Sequence, residues 1–142
     1  MKHTDFRIGN TVRLNEKWFN DNPEYSATET ILTVKSIDYD FLLPDDYHIN
    51  GYDIKYIEGI VLTEEKLLQL EFNYEQEQKY RIGKAFSCEY ETLTLFLMKH
   101  EKGFWVILHG HNGEINMGTK KYVHEIQNLY KELSGKELIL NK

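Results

Sequence analysis

The sequence predicts an α+β protein with an N-terminal curled antiparallel sheet, a short linking helix, and an antiparallel meander packed against one C-terminal helix. Three observations favour this class. Aromatic residues make up 13% of the 142 residues and include ten tyrosines, which is typical of sheets. Short runs of alternating apolar and polar residues are separated by turn-forming residues. One long amphipathic stretch lies near the end of the chain.

The first 60 residues predict three short strands. Residues 11–14 alternate between apolar and polar side chains, and residues 30–37 are rich in β-branched residues. Residues 52–57 alternate again, and Gly59 is interpreted as a bulge through which the third strand continues. A small curled sheet of this kind can close into a Src-homology-3-like barrel.

Two long loops separate these strands in the prediction. Residues 15–29 and 38–51 each contain a proline together with asparagine and aspartate, which favour turns. Both loops also contain aromatic residues. They include Trp18, Phe19, Tyr39, Phe41 and Tyr47. Exposed aromatics beside carboxylates would mark a partner surface, whereas aromatics folded back onto the sheet would only cover it.

A short helix is predicted after the third strand. Thr63 is a natural N-cap, and Glu64 and Glu65 favour the positive end of the helix dipole. The polar stretch that follows the helix marks a boundary between two lobes. We therefore expect an N-terminal lobe at residues 1–71 and a second lobe at 72–142, which together form one compact unit.

The second lobe predicts an antiparallel meander. Alternating runs at residues 80–82, 86–90 and 93–97 precede the most apolar strand, at 104–108. Asn112-Gly113 is the favoured pair for a two-residue hairpin loop, and the last strand follows it.

The C-terminal helix has the clearest pattern in the chain. Apolar residues at three- and four-residue steps form its buried stripe: Val123, Ile126, Leu129, Tyr130 and Leu133. Thr119 offers a hydroxyl ahead of the first turn, and Gly135 supplies a left-handed residue that ends the helix. Leu138 and Leu140 are placed to fold back over the last turn.

The charge distribution disfavours nucleic acid as a partner. The net charge is −6, and the first 70 residues contain 13 acidic and 7 basic side chains. An acidic surface repels phosphate backbones. No apolar run reaches the ~20 residues needed to span a bilayer, and the first residues contain no signal-peptide core. We therefore expect a soluble, cytoplasmic protein without membrane contact.

The sequence predicts no catalytic residue, cofactor or metal. Cys88 lies in an alternating run and is interpreted as a buried small hydrophobe. His109-Gly110-His111 has metal-ligand spacing, with Glu114 or His100 as a possible third ligand, but the glycine-rich context favours an ordinary hairpin. The loop at residues 38–51 is rich in aspartate, but it lacks the regular spacing of ligands found in a calcium-binding loop. No phosphate-binding loop or nucleophile elbow occurs in the sequence. His124 is interpreted as a capping or surface histidine.

Three segments carry a resemblance. They are Phe6-Arg7-Ile8-Gly9-Asn10, Gly59-Ile60-Val61-Leu62-Thr63-Glu64-Glu65 and Val123-His124-Glu125-Ile126-Gln127-Asn128-Leu129-Tyr130. In this order they resemble landmarks of small uncharacterised bacterial proteins found on phages and mobile elements. The resemblance implies a soluble accessory protein, and it implies no activity and no catalytic residue.

The leading hypothesis for function is a non-catalytic module that binds a protein partner through its acidic N-terminal loops. A small-ligand-binding protein or enzyme with a pocket between the lobes is the alternative. A nucleic-acid-binding barrel is a third hypothesis, which the acidity disfavours. A pocket with convergent polar groups would favour the second hypothesis, and a basic groove would favour the third.

Overall fold

Two antiparallel sheets contact the C-terminal helix in a computed structural model of the protein, which confirms the predicted α+β class. The structure describes residues 6–24, 31–38, 41–44, 52–75 and 85–140. The elements of the N-terminal part are β1 (Thr11–Leu14), α1 (Glu16–Asp21), β2 (Ile31–Asp38), β3 (Phe41–Pro44), β4 (Tyr52–Asp53), β5 (Ile57–Gly59) and α2 (Glu64–Gln69). Those of the C-terminal part are β6 (Asn73–Glu75), β7 (Ala85–Tyr90), β8 (Leu93–His100), β9 (Gly103–Gly110), β10 (Gly113–Lys120) and α3 (Val123–Ser134).

The N-terminal sheet has the strand order β4-β3-β2-β1-β5. The first residues of β2 pair with β1, and its later residues pair with β3 beyond a bulge between Val34 and Ser36. β1, β2 and β5 thus form a three-stranded ladder that β3 and β4 extend. The strands that the structure describes form an open sheet and do not close into a barrel.

A short helix replaces part of the first predicted loop. Asn15 caps α1, because its side-chain oxygen accepts a hydrogen bond from the Trp18 backbone N–H at 3.1 Å. The Asn22 side chain donates to the Trp18 carbonyl at 2.8 Å at the other end. The prediction of a loop over all of residues 15–29 was therefore wrong, since local capping by two asparagines was not recognised.

The second predicted loop and the third strand also differ from expectation. β3 lies within residues 38–51, so that segment is not all loop. A 3-10 helical turn (Ile54–Tyr56) interrupts the predicted third strand. Gly59 is not a bulge, because it pairs regularly with Val12. The chain changes direction at the turn instead of at the glycine.

The predicted meander is confirmed, with the strand order β10-β9-β8-β7-β6. β6 is an additional strand within the stretch interpreted as a polar boundary. The predicted hairpin loop is displaced by one residue: His111-Asn112 form the connection, and Gly113 starts β10 with a φ of 124° that favours glycine. The strand predicted at residues 80–82 lies outside the described residues.

The predicted course of α3 is confirmed except at its first turn. Thr119 belongs to β10, and the Glu125 carboxylate accepts hydrogen bonds from the Lys121 and Tyr122 backbone N–H groups, each at 3.0 Å. Gly135 ends the helix in the left-handed conformation, with a φ of 75°. Leu138 and Leu140 are buried behind it, as expected.

Two hydrophobic clusters form the interior of the part of the chain that the structure describes. The larger cluster joins the stripe of α3 to the inner face of the meander and to α2. Its central members include Leu67, Leu97 and Val106, which are fully buried. The smaller cluster lies on the N-terminal sheet around Val12, Leu14 and Val34. Because α2 packs into the larger cluster, the first 71 residues contribute to both.

Candidate functional site

A polar contact zone, here called the seam, joins residues 6–11 to α3. Its centre is Gln127, which is 1% exposed. The Gln127 side-chain oxygen accepts from the Thr11 backbone N–H at 2.8 Å, and its amide donates to the Thr11 hydroxyl at 3.0 Å and to the Leu138 carbonyl at 2.8 Å. One buried amide thereby ties together β1, α3 and the C-terminal segment.

A second set of hydrogen bonds continues the seam towards solvent. The Asn10 amide donates to the Asn128 side-chain oxygen at 2.7 Å, and Asn10 accepts from the Arg7 backbone N–H at 2.6 Å. The Arg7 guanidinium then reaches the Glu132 carboxylate at 2.8 Å and the Asn128 carbonyl at 3.2 Å. Asn10 is 2% exposed, so its polar atoms need these partners.

His124 lies in the seam and not on the surface. It is 1% exposed, with its ring 4.9 Å from that of Phe6 and stacked 5.6 Å from that of Tyr122. The prediction of a capping or surface histidine was wrong. His124 lies on the polar side of α3, outside the apolar stripe, and the N-terminal segment covers that side.

The three segments that carry the sequence resemblance meet at α3. The first segment forms the seam with it. The second runs beside its start, where the Leu62 N–H donates to the Lys121 carbonyl and the Val123 N–H donates to the Ile60 carbonyl, each at 2.8 Å. These three segments thus hold the N-terminal sheet, α2 and α3 together.

A cleft of about 360 Å³ opens at the outer end of the seam. Its lining residues are Phe6, Arg7, Ile8, Asn10, Asn128, Lys131 and Glu137. Each of its two cations already contacts a carboxylate of the chain, since Arg7 pairs with Glu132 at 2.8 Å and Lys131 with Glu137 at 3.3 Å. A small-ligand function at this cleft stays a prediction.

Cys88 is half-buried beside Tyr130, on another side of the C-terminal half of α3. Burial raises the pKa of the Cys88 thiol above its ordinary value, and the nearby Tyr130 side chain opposes that shift only in part. A thiol with a raised pKa forms less of the nucleophilic thiolate. The position therefore has the chemistry of a packing residue.

We predict slow alkylation of Cys88. Iodoacetamide should react more slowly with the folded protein than with the same protein in guanidinium. The pH at which the alkylation rate is half-maximal should also be higher for the folded protein. Because the fold disfavours the thiolate, the free energy of unfolding should also fall as the pH rises past the pKa of the unfolded thiol. Equal rates in the folded and unfolded protein would contradict this assignment.

The histidine pair interpreted as a possible metal site lies at the end of β9. His109 and His111 are both exposed, and Glu114 is the cross-strand neighbour of His109. Across the ranges that the structure describes, no three histidine, cysteine, aspartate or glutamate side chains come close enough together to hold a metal ion.

The residues predicted to form the partner surface have different positions. Trp18 and Phe19 lie on α1, are half-buried and pack against the smaller hydrophobic cluster, with their rings 5.0 Å apart. Phe41 starts β3. Tyr39 and Tyr47 lie outside the described residues. The placement of the first two favours coverage of the sheet, and the partner role of the set stays a prediction.

The outer face of the meander is the side opposite α3. Strand alternation and register place three rows of cross-strand neighbours on it. From β7 to β10, the rows are Glu89, Thr94, His109 and Glu114; Ser87, Phe96, Ile107 and Asn116; and Ala85, Met98, Trp105 and Thr119. The central strands thus place Phe96, Met98, Trp105 and Ile107 on this side. Trp105 is exposed and the other three are half-buried, whereas Ala85 and Ser87 on β7 are buried.

Trp105 is the most prominent residue of the outer face. It is 41% exposed, and its indole N–H donates to the Asn116 side-chain oxygen at 2.6 Å. The same oxygen accepts from the Gly118 backbone N–H at 2.9 Å, which fixes the bulge of β10. The ring is therefore held in one orientation while much of it faces solvent.

Sequence reasoning identified the strand that contains Trp105 but not its role. The run Phe104-Trp105-Val106-Ile107-Leu108 is apolar at every position instead of alternating. An antiparallel strand with one solvated face normally alternates. This departure was the signal for a sheet with two apolar faces.

No family model, curated protein or solved structure matches the chain. Of the helices that the structure describes, none has both the length and the apolar character to cross a membrane. The class of protein is therefore defined by its fold, an α+β arrangement of two antiparallel sheets and a C-terminal helix.

Proposed function

We propose that the protein is a soluble, cytoplasmic, non-catalytic accessory module that binds another protein chain, of the bacterial or phage kind that its three segments resemble. The observation that carries the proposal is the apolar outer face, on which Trp105 is 41% exposed beside Ile107. Apolar patches centred on aromatic residues mark protein interfaces, and tryptophan is enriched among the residues that dominate binding energy.

The form of the N-terminal sheet agrees with an interaction module. Its order, its long β2 shared between two ladders and the 3-10 turn before β5 support a Src-homology-3-like arrangement. We propose that arrangement for this lobe. The acidic loops at residues 15–29 and 38–51 remain a second candidate contact surface.

A site-specific crosslink tests the proposal. A photoreactive residue at Thr119, the neighbour of Trp105 in the register, should crosslink to one defined protein chain in the native host. The same residue at Leu68, which is 55% exposed on α2, serves as the control position and should not crosslink to that chain.

The captured chain must then bind in purified form. We predict that Trp105→Ala weakens its binding by about 30-fold, because truncation of a central aromatic anchor costs about 2 kcal/mol. Isothermal titration would measure this change. Unchanged affinity in a folded Trp105→Ala protein would place the interface elsewhere, and a Trp18→Ala variant would then test the loop surface.

A further inference from the structure

Residues 136–140, here called the strap, follow Gly135 and pack against α3 without forming a helix or a strand. Their burial alternates. Leu138 and Leu140 are buried in the larger hydrophobic cluster, whereas Ile139 between them is 67% exposed. An extended chain alternates its side chains in this way. The strap therefore contacts the rest of the protein as an extended peptide contacts a groove, with every second side chain as an anchor.

Few polar contacts support the two leucine anchors. The Gln127 amide donates to the Leu138 carbonyl at 2.8 Å, and the Lys136 ammonium lies 5.6 Å from the centre of the Tyr90 ring. In the part of the chain that the structure describes, no backbone–backbone hydrogen bond joins the strap to another element. A segment held by side-chain anchors without a hydrogen-bond ladder opens at a lower free energy than a strand within a sheet.

Glu137 places the start of the strap beside the seam. Its carboxylate pairs with the Lys131 ammonium at 3.3 Å and lies against Gly9, where an added Cβ would be 2.6 Å from a carboxylate oxygen. Glu137 also lines two clefts, the cleft of about 360 Å³ at the seam and another of about 310 Å³. The strap thus lies in a groove that stays open on both of its sides.

We propose that this groove is a second binding site, which takes an extended segment of another protein in place of the strap. The strap defines the chemistry of that segment: an acidic residue followed by leucines at two alternate positions. Lys131 and the space above Gly9 receive the carboxylate, and the larger hydrophobic cluster receives the leucines. The strap is then an autoinhibitory segment, and a partner binds by capturing the state in which the strap is released. The groove lies on the α3 side of the meander, so it is separate from the interface proposed around Trp105.

Cys88, the single cysteine of the chain, can report release of the strap. It lines the cleft of about 310 Å³ together with Leu138 and Ile139, so its thiol loses cover when the strap leaves. Leu138→Asp/Leu140→Asp should release the strap and raise the rate of Cys88 alkylation by iodoacetamide about tenfold in the folded protein. Ile139→Asp is the matched control, because that side chain is exposed, and its alkylation rate should equal that of the wild type.

Circular dichroism and melting temperature establish that each variant is folded. If the double variant does not fold, Leu140→Ala takes its place, since it keeps the Leu138 anchor and should raise the alkylation rate about threefold. A folded variant that releases neither anchor, and so alkylates at the wild-type rate in both cases, would overturn the proposal, because the strap would not cover the groove.

A peptide with the sequence of residues 136–142 tests binding in trans. At about 1 mM, the effective concentration that a short linker provides, this peptide should restore slow alkylation of the released variant. The same peptide with aspartate at both leucine positions should leave alkylation fast. Lysine in place of Glu137 should raise the peptide concentration needed for half-maximal protection about threefold. Fast alkylation that the wild-type peptide does not slow, or that both leucine and aspartate peptides slow equally, would overturn the proposed site.

Discussion

Replacing Phe104 with alanine is expected to lower the free energy of unfolding by about 3–5 kcal/mol. Phe104 is 1% exposed on β9, next to the central strand β8, and its ring meets that of Phe86 edge to face at 6.3 Å. Truncation removes the transfer free energy of the ring and leaves a cavity between the meander and α3. Denaturant unfolding monitored by circular dichroism would measure the change.

The neighbouring residue provides a matched control for this prediction. Trp105 lies on the same strand but points to the outer face. Trp105→Ala should therefore lower the free energy of unfolding by about 1 kcal/mol or less. The two variants thereby separate the inner face, which stabilises the fold, from the outer face, which is proposed to bind. If both variants lost comparable amounts of unfolding free energy, the outer face would also be part of the core.

The second large effect is expected at the seam, where Gln127→Ala should lower the free energy of unfolding by about 2–4 kcal/mol. The change removes three hydrogen bonds and leaves the Thr11 N–H and the Leu138 carbonyl buried without this side chain. A buried polar group that loses its partner costs about 1–3 kcal/mol. Hydrogen exchange of the Thr11 amide should accelerate more than that of amides in β8 and β9.

Gln69→Ala is the control for the seam variant. Gln69 is the last residue of α2, and its side chain donates to the Glu65 carboxylate at 3.5 Å. Its replacement should change the free energy of unfolding by less than about 0.5 kcal/mol. A Gln127→Ala protein as stable as this control would mean that the seam does not hold the N-terminal sheet to α3.

Local patterns predicted the elements whose periodicity was strong. The stripe of α3, the left-handed Gly135 and the meander were readable because each depends on residues a few positions apart. The failures were short elements. Asn15 and Asn22 cap a helix of only six residues, and such a helix leaves too few apolar repeats to detect. The 3-10 turn before β5 was missed for the same reason.

The seam and the outer face could not be predicted in the same way. The hydrogen bonds of Gln127 join Thr11 to a helix that follows it by more than a hundred residues. Nothing near Gln127 in the chain distinguishes it from an exposed helical glutamine. The outer face likewise arises only when antiparallel pairing aligns Phe96 with Ile107 and Met98 with Trp105.

Local periodicity and capping thus predict the class of fold, the meander, the course of α3 and its exit at Gly135. The burial of His124 and Gln127 and the exposure of Trp105 follow only from three-dimensional packing, because burial depends on what packs against a side chain. For these residues the covering or uncovered surface comes from distant parts of the chain.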